Sequence, residues 1–437
     1  MSVDVRTRLD NMRLGAFHRH LIVVGGLGIM FDALDVGILS FVLAALILAW
    51  HLGPVTIGVM GSINLVGMAI GAAVAGSLAD RYGRRTVFMW TLFLYSIATG
   101  VAGFATSALF LIVMRFIVGL GLGGELPVTT TLVAEFLPAG QRGRGIVWLE
   151  SFWALGSLVA AVIAYFLIPV FTWRIGFFIG ALPALYILYL RRGIPESPRY
   201  LWQAGARDEA ALVTRMVRGE RPASASRSPT SEGLPLRVLL NSAHRRTTVS
   251  LWLLWLMMNF AYYGMFLWLP SVLALRGMSL VHSFLYVLLV TLCEIPGYLS
   301  AAWLVERWGR RPVLLVYLLL AAGAATAFGL AQTPGQVLGF GMLLGFMNLG
   351  AWGATYAYTS EQYPTLLRAR GNGFAMGVGR IGGVAGPILV GYLLAAKVGT
   401  MGIFGIFAAA QLVALVASAL VGRETRGMTL EEIADEA

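Results

Sequence analysis

Charged side chains occur inside apolar stretches of this sequence, where each is costly to keep. A stretch of about 20 apolar residues crosses a bilayer as a helix, and an ionisable group within it costs several kcal/mol. Such groups usually face a wet cavity, a partner charge or a ligand, so each is a functional candidate. Seven residues have this character: Asp32, Asp35, Arg115, Glu125, Glu150, Glu294 and Arg380.

Asp32 and Asp35 are three residues apart, so a helix places both on one side. Two close carboxylates do not both ionise at low dielectric constant, so one is expected to titrate near neutral pH, which suits the binding and release of a proton. The alternative is structural pairing with Arg115. Arg115 lies ten residues before Glu125 on one predicted helix, too far for a direct pair. Glu125 and Glu150 are further candidates for carrying a proton.

Arg380 lies about ten residues into a predicted span, roughly 15 Å deep at the helical rise. Glycines at 377, 379, 382 and 383 surround it in the sequence and leave room for a ligand. A guanidinium holds a carboxylate through two hydrogen bonds, so Arg380 is a candidate anion site. The alternative is a buried ion pair with Asp32, Asp35 or Glu150, with the glycines serving tight helix packing.

Aromatic residues provide candidate contacts for a flat ring. Asn348, Trp352 and Tyr356 recur every four residues and share one helix face. Stacking suits an aromatic ring, and an amide donates to a ring nitrogen. The alternative is that aromatic residues form interfacial belts or core packing, as we expect for Trp50, Trp173 and Trp202.

The elements that must position these groups are membrane helices. Hydrophobic residues make up 58% of the 437 residues and charged residues only 12%, about half the share of a soluble domain. We expect an all-α protein in which two six-helix halves, 1–192 and 247–437, flank a cytoplasmic linker at 193–246. Hydropathy and breakers predict twelve spans, at about 20–49, 54–78, 86–106, 108–135, 145–170, 174–192, 247–275, 281–305, 312–332, 335–360, 369–396 and 400–422.

The basic residues predict the orientation of these spans. Arg174, Arg276 and Lys397 fall in the predicted external loops, and Arg115 and Arg380 fall inside spans. The remaining 27 of 32 Lys and Arg lie in the tails and the other loops. Because basic loops stay on the cytoplasmic side, both termini are expected there. The same distribution explains the net charge of +11 without nucleic acid.

Two loop patterns recur in the second half of the sequence, and both do so at the same offset along the chain. Gly76-x-x-x-Asp80-Arg81-x-Gly83-Arg84-Arg85 matches Ala302-x-x-x-Glu306-Arg307-x-Gly309-Arg310-Arg311. Glu135-x-x-Pro-x-x-x-Arg142 matches Glu361-x-x-Pro-x-x-x-Arg368. The halves are therefore repeats in the same orientation, an arrangement that places a substrate site between them. Charge pairs between the loops of the two halves would form a cytoplasmic gate that breaks on opening; the alternative is that the basic residues only fix topology.

These motifs carry a family resemblance. The first loop pattern is a signature of the major facilitator superfamily, and Pro195-Glu196-Ser-Pro198-Arg199 resembles its sugar-porter and organic-ion branch. Stretches around Asp32, Glu125, Trp153 and Tyr262, with Asn348-Leu-Gly-Ala-Trp352, resemble bacterial niacin transporters of the NiaP type.

The resemblance implies proton-coupled import of nicotinate, with nicotinamide as a second substrate, by a monomer in the inner membrane. Arg380 would hold the carboxylate, and Tyr262, Tyr263, Phe266 and Trp153 would join the ring site. Relatives use an arginine at the position of Arg115 in coupling or gating. Another organic acid, export, or a ligand-sensing receptor remain alternatives. No Walker loop, metal cluster or catalytic set is evident, so we expect no cofactor and no enzyme.

Overall fold

The computed structural model describes residues 15–137, 148–193, 244–363 and 365–421, together with 145, 196, 201, 240, 241 and 424. The predicted linker lies almost wholly outside the described residues. Within this part of the chain the structure contains fourteen helices: α1 (Ala16–Trp50), α2 (Pro54–Tyr82), α3 (Arg84–Ala102), α4 (Ala108–Phe136), α5 (Phe152–Phe171), α6 (Arg174–Gly180), α7 (Pro183–Gly193), α8 (Arg245–Phe266), α9 (Leu269–Leu275), α10 (Leu280–Trp308), α11 (Arg310–Leu330), α12 (Pro334–Glu361), α13 (Thr365–Ala395) and α14 (Thr400–Val421).

Eleven of these helices are long and apolar enough to cross a membrane. The remaining span, the sixth in order and predicted at 174–192, is divided into α6 and α7 just before Pro183. The seventh, predicted as one segment at 247–275, is divided into α8 and α9, with Pro270 at the start of α9. Proline lacks the N–H that continues a helix, which accounts for both breaks. The all-α, twelve-span prediction is confirmed.

The glycines that recur in the sequence repeat make equivalent contacts in the structure. A Cβ on Gly71 of α2 would lie 2.1 Å from the Leu120 carbonyl oxygen of α4. A Cβ on Gly297 of α10 would lie 2.2 Å from the Phe346 carbonyl oxygen of α12. Gly297 follows Gly71 at the offset of the loop repeat, and Phe346 follows Leu120 at the same offset. The α2–α4 contact and the α10–α12 contact are therefore the same contact repeated.

The chain divides into two compact units. The first comprises Met1–Ile38, Ile63–Ala160 and Arg174–Ser231. The second comprises Leu39–Ser62, Ala161–Trp173 and Glu232–Ala437. Leu39–Ser62, called the hairpin below, contains the end of α1 and the beginning of α2. Although it comes from the first half of the sequence, the hairpin packs with helices of the second half.

Glycines bring the hairpin against α13 within this second unit. A Cβ on Gly58 would lie 2.8 Å from the Pro387 carbonyl oxygen, and one on Gly391 would lie 2.7 Å from the Pro54 carbonyl oxygen. The Ser62 hydroxyl donates to the Val384 carbonyl at 2.8 Å. We call this contact the hairpin seam. Because backbone touches backbone there, no side chain larger than hydrogen fits at Gly58 or Gly391 without movement.

Candidate functional site

In the first unit, α1, α3 and α4 bring together a buried ion pair. A guanidinium nitrogen of Arg115 lies 3.0 Å from a carboxylate oxygen of Asp35, and the two side chains are 0% and 2% exposed. The Thr99 hydroxyl donates to the other Asp35 oxygen at 2.9 Å and accepts from Arg115 at 3.2 Å. The Phe177 ring packs over the guanidinium at 4.6 Å. Both oxygens of Asp35 are thus occupied, and Asp35 and Arg115 form a compensated buried pair.

Asp32 has a different neighbour. Its side chain interacts with that of Glu125 on α4, and both residues are fully buried. A Cβ on Gly28, one turn before Asp32, would lie 2.6 Å from a Glu125 carboxyl oxygen. The missing side chain at Gly28 therefore makes the space that the Glu125 carboxyl fills. Two neighbouring buried acids repel each other when both are ionised, so their proximity disfavours a charge on both at once.

The structure thus separates the two aspartates that the sequence spacing suggested as a pair. The structural pairing with Arg115, left open above, involves Asp35, while the like-charged partner of Asp32 is Glu125. A helix allows this because residues three apart differ by about 60° in direction. The lack of a direct Arg115–Glu125 ion pair among the described residues agrees with the spacing in the sequence.

Glu150 lies just before the beginning of α5 and Trp153 lies in its first turn, and both are half-buried. Within the described contacts, neither is joined to the Asp35–Arg115 pair or to the Asp32–Glu125 pair. Their proposed roles stay predictions.

In the second unit, the predicted aromatic residues come together between α8 and α12. The Tyr262 ring lies 5.9 Å from Trp352, 4.9 Å from Phe266 and 5.4 Å from Tyr263, centroid to centroid. Tyr356 lies 5.8 Å from Trp352. Tyr262, Phe266, Trp352 and Tyr356 remain half-buried, whereas Tyr263 is buried. These rings form a continuous aromatic wall with accessible edges, which suits the stacking of a flat ligand.

Trp255 is a member of this wall that the sequence patterns did not reveal to us. Its ring lies 5.5 Å from Trp352 and 5.2 Å from Tyr356. Its indole N–H donates to the Thr359 hydroxyl at 3.0 Å. Trp255 is buried, so it holds the two half-exposed rings in place. The seven-residue spacing from Trp255 to Tyr262, two helical turns, was the signal in the sequence that could have revealed it.

Arg380 lies on α13, next to a line of glycines that packs on α8. A Cβ on Gly379 would lie 2.6 Å from the Asn259 amide nitrogen, and one on Gly382 would lie 2.0 Å from the Leu256 carbonyl oxygen. These glycines therefore serve tight helix packing, the alternative stated above, rather than a space for ligand. Gly377 has no neighbour within 4 Å of its Cβ position. The Arg380 side chain is half-buried, and the Asn348 side chain on α12 is 2% exposed.

The loop motifs form similar charge clusters in each half. Arg84 lies 2.9 Å from Asp80, and Arg310 lies 3.6 Å from Glu306. Arg310 also lies 3.0 Å from Glu361. Gly83 and Gly309 have φ angles of 95° and 101°, which explains why both copies of the motif contain glycine there. By contrast, a Cβ on Gly76 would meet nothing within 4 Å.

Other predicted gate residues are less informative. Arg81 packs over the ring of its neighbour Tyr82 at 5.3 Å. Arg142 and the side chains of Glu135 and Arg368 lie outside the described residues.

Two glutamates that were not among the predicted gate residues also belong to these clusters. The Glu196 carboxylate accepts from the backbone N–H groups of Arg84 and Arg85 at 3.0 and 3.2 Å, at the beginning of α3. The Glu424 carboxylate accepts from those of Arg310 and Arg311 at 3.0 and 2.9 Å, at the beginning of α11. A carboxylate at a helix N-terminus is stabilised by free N–H groups and the helix dipole. Glu424 follows Glu196 at nearly the same offset as the two copies of the loop motif. This spacing was the signal in the sequence that could have identified both glutamates.

Twelve apolar spans, repeated glycine contacts and charges buried among the helices define a multi-pass membrane transporter of the major facilitator fold. The chain belongs to the family described as "Sugar (and other) transporter", whose model matches residues 50–437. It is therefore a transporter of a small organic substrate and not an enzyme.

Comparison with individual proteins narrows this class. The chain is 46% identical over 439 residues to "Niacin transporter NiaP" of Acinetobacter baylyi, covering 99% of this chain and 100% of the relative. It is 48% identical over 413 residues to "Putative niacin/nicotinamide transporter NiaP" of Bacillus subtilis, covering 94% and 98%. Among solved structures, the inward open conformation of the xylose transporter XylE from E. coli matches with a TM-score of 0.76 at 20% identity, covering 95% and 99%. The resemblance in the sequence is confirmed.

Proposed function

We propose that this protein imports nicotinate across the bacterial inner membrane by alternating access, together with protons. The observation that carries the proposal is the identity of 46% and 48% to two niacin transporters over nearly the whole chain. We further propose that it works as a monomer with both termini in the cytoplasm, because of the loop distribution of basic residues.

The substrate ring is proposed to stack on the aromatic wall, and its carboxylate to meet Arg380. The wall supports this because four of its rings, Tyr262, Phe266, Trp352 and Tyr356, have accessible surface. The buried Trp255 packs against two of them, Trp352 and Tyr356. Arginine suits the carboxylate because its planar fork makes two parallel hydrogen bonds. A loss of one charged hydrogen bond costs about 1.5–3 kcal/mol, so Arg380 would supply much of the affinity.

The coupling proton is proposed to reside on the Asp32–Glu125 pair. Asp35 is the weaker candidate because Arg115 and Thr99 already occupy both of its oxygens. Asp32 and Glu125 offer the opposite environment, in which two buried carboxyls compete for ionisation and retain a proton. Release of that proton on the cytoplasmic side would make import depend on the pH gradient. Arg115 would act by holding Asp35 and keeping α1 and α4 in register.

The loop clusters are proposed to stabilise one closed state of the cytoplasmic side. The pairs Asp80–Arg84 and Glu306–Arg310 lie at the ends of spans in equivalent positions of the repeat. Exposed pairs of this kind contribute little individually, at most about 1 kcal/mol.

The test is uptake of labelled nicotinate into proteoliposomes, with and without an imposed pH gradient. We expect accumulation when the side of entry is acidic, and competition by unlabelled nicotinate. Nicotinamide and benzoate as competitors show whether the carboxylate or the ring dominates recognition. Binding of nicotinate without flux under any gradient would support the receptor alternative and refute import.

A further inference from the structure

Glu294 is a buried acid that the proposed function does not use. It lies in the middle of α10 and is 3% exposed. Its Oε2 atom has no hydrogen-bond partner in the described part of the chain. A charged carboxyl group is costly to keep where one of its oxygens is buried without a partner, so burial favours the neutral form of this group.

No salt bridge among the described residues involves Glu294. Cys293 is its neighbour on α10, and Gly345 of α12 lies against its Cγ, with a would-be Cβ at 3.5 Å. Asn348, one turn further on α12, is uncharged, and α9 has no titratable residue. Tyr317 of α11 packs at Gly350 of α12, and α10 itself carries His282, Tyr286 and Tyr298. In the second unit, the hairpin adds only His51, and Ala161–Trp173 adds only Tyr165.

Arg380 is the remaining charge to consider. Among the described residues no salt bridge joins it to Glu294, although both lie within spans of the second unit.

The internal repeat shows that the fold does not require an acid at this position. The equivalent of Glu294 in the first half, at the offset of the repeat, is Met68, which is 1% exposed. Met68 lies on α2 against Gly123 of α4, in the same helix contact that Glu294 occupies between α10 and α12. An apolar side chain of similar length therefore fills the site well. An acid at such a position is costly and has no packing purpose.

We propose that Glu294 is a second proton-binding site, so that two protons accompany each nicotinate. The outer part of α10 contacts the hairpin, since the Phe284 and Phe41 rings lie 5.1 Å apart. Phe284 is ten residues before Glu294, about 15 Å along the helix. Separation of the hairpin from α10 would open a path to water, through which Glu294 exchanges its proton. The proton binds the carboxylate on one side and leaves it on the other, with no other reactant.

This inference rests on the proposed import of nicotinate with protons. It changes the net charge that is moved across the membrane with each nicotinate. One proton with one nicotinate anion is electrically neutral, whereas two protons carry a net charge of +1. With no pH gradient, an interior-negative potential then drives accumulation, about tenfold for each 59 mV. The second site is therefore measured as a response to voltage rather than to pH.

The experiment compares wild type with Glu294→Gln and Glu294→Met in proteoliposomes. Equal pH is set on both sides, and a potassium gradient with valinomycin sets the potential. We expect voltage-driven accumulation of labelled nicotinate in wild type and its loss in both variants, which should still accumulate nicotinate with a pH gradient. Cys293→Ser is the matched control, because it changes the adjacent side chain and should keep the voltage response.

Three outcomes would overturn the second site: a wild type without a voltage response, variants that retain it, or variants that lose nicotinate exchange. Exchange of internal for external nicotinate needs no net proton movement, so its loss in both variants would reveal a structural role. Absence of nicotinate uptake by wild type under any gradient would instead refute the proposed function itself.

Discussion

The hairpin seam leads to a prediction whose size follows from the structure. If the hairpin and α13 separate and close again in each transport cycle, a side chain at Gly58 should hinder closure. Its Cβ would lie 2.8 Å from the Pro387 carbonyl oxygen and 3.3 Å from the Ile388 Cα, whereas ordinary contact begins at 3.4 Å. Gly58→Ala thus pushes the two backbones apart by about 0.6 Å.

The expected energetic effect is that of overpacking a tight contact, about 1–3 kcal/mol. The displacement also stretches the Ser62–Val384 hydrogen bond, which measures 2.8 Å. Such a change alters an equilibrium about 5- to 150-fold. The fraction of molecules with a closed seam, relative to those with an open one, should fall by that factor in Gly58→Ala. The larger side chain of Gly58→Leu should lower it further.

The assay is the initial rate of labelled nicotinate uptake, with nicotinate binding to the same membranes measured in parallel. We expect the rate to fall within the calculated range while binding persists. Gly53→Ala is the control, because it lies on the same hairpin and its Cβ would meet nothing within 4 Å. Uptake by Gly58→Ala within twofold of wild type would refute the reasoning, and so would loss of binding, which would identify the seam as a folding contact.

Three further predictions concern individual charges. Arg380→Ala should weaken nicotinate binding about 10- to 100-fold, as 1.5–3 kcal/mol implies, and unchanged affinity by titration calorimetry would remove the arginine from the site. Asp35→Asn should destabilise the protein by about 3–5 kcal/mol because Arg115 remains buried and unpaired, and Asp35→Asn with Arg115→Gln should recover much of its thermal stability. Asp32→Asn combined with Glu294→Gln should keep nicotinate exchange but lose uptake driven by a pH gradient, and persistence of that uptake would assign the proton elsewhere.

Much of the fold could be predicted from the sequence because lipid imposes a strong constraint on composition. The predicted boundaries of α2, α4, α10, α12 and α14 lie within four residues of the observed ones. The breaks before α7 and within the seventh span were not predicted, although Pro183 and Pro270 mark them. Hydropathy windows average over about 19 residues, and an isolated proline does not change that average.

The candidate site was predicted less completely, because partners depend on helix rotation and on contacts between distant helices. The spacing of Asp32 and Asp35 indicates nearby carboxyls, but it does not show that Asp35 pairs with Arg115, 80 residues away. The glycines beside Arg380 indicate either a ligand space or helix packing, and only the position of α8 decides between them. The aromatic residues were easier to identify, since one helix face carries Trp352 and Tyr356 at fixed spacing.

Glu196, whose carboxylate binds the first N–H groups of α3, has a consequence for the order in which the helices can assemble during synthesis. Arg84 and Glu196 are 112 residues apart, and Arg310 and Glu424 are 114 residues apart. A ribosome adds about 5–20 residues per second, so each helix waits roughly 6–20 s for its glutamate. During this interval the free N–H groups at the helix start must be satisfied by water or lipid headgroups. Each bundle can therefore mature only after its last span has been synthesised, which makes the distal glutamate a marker of completed assembly.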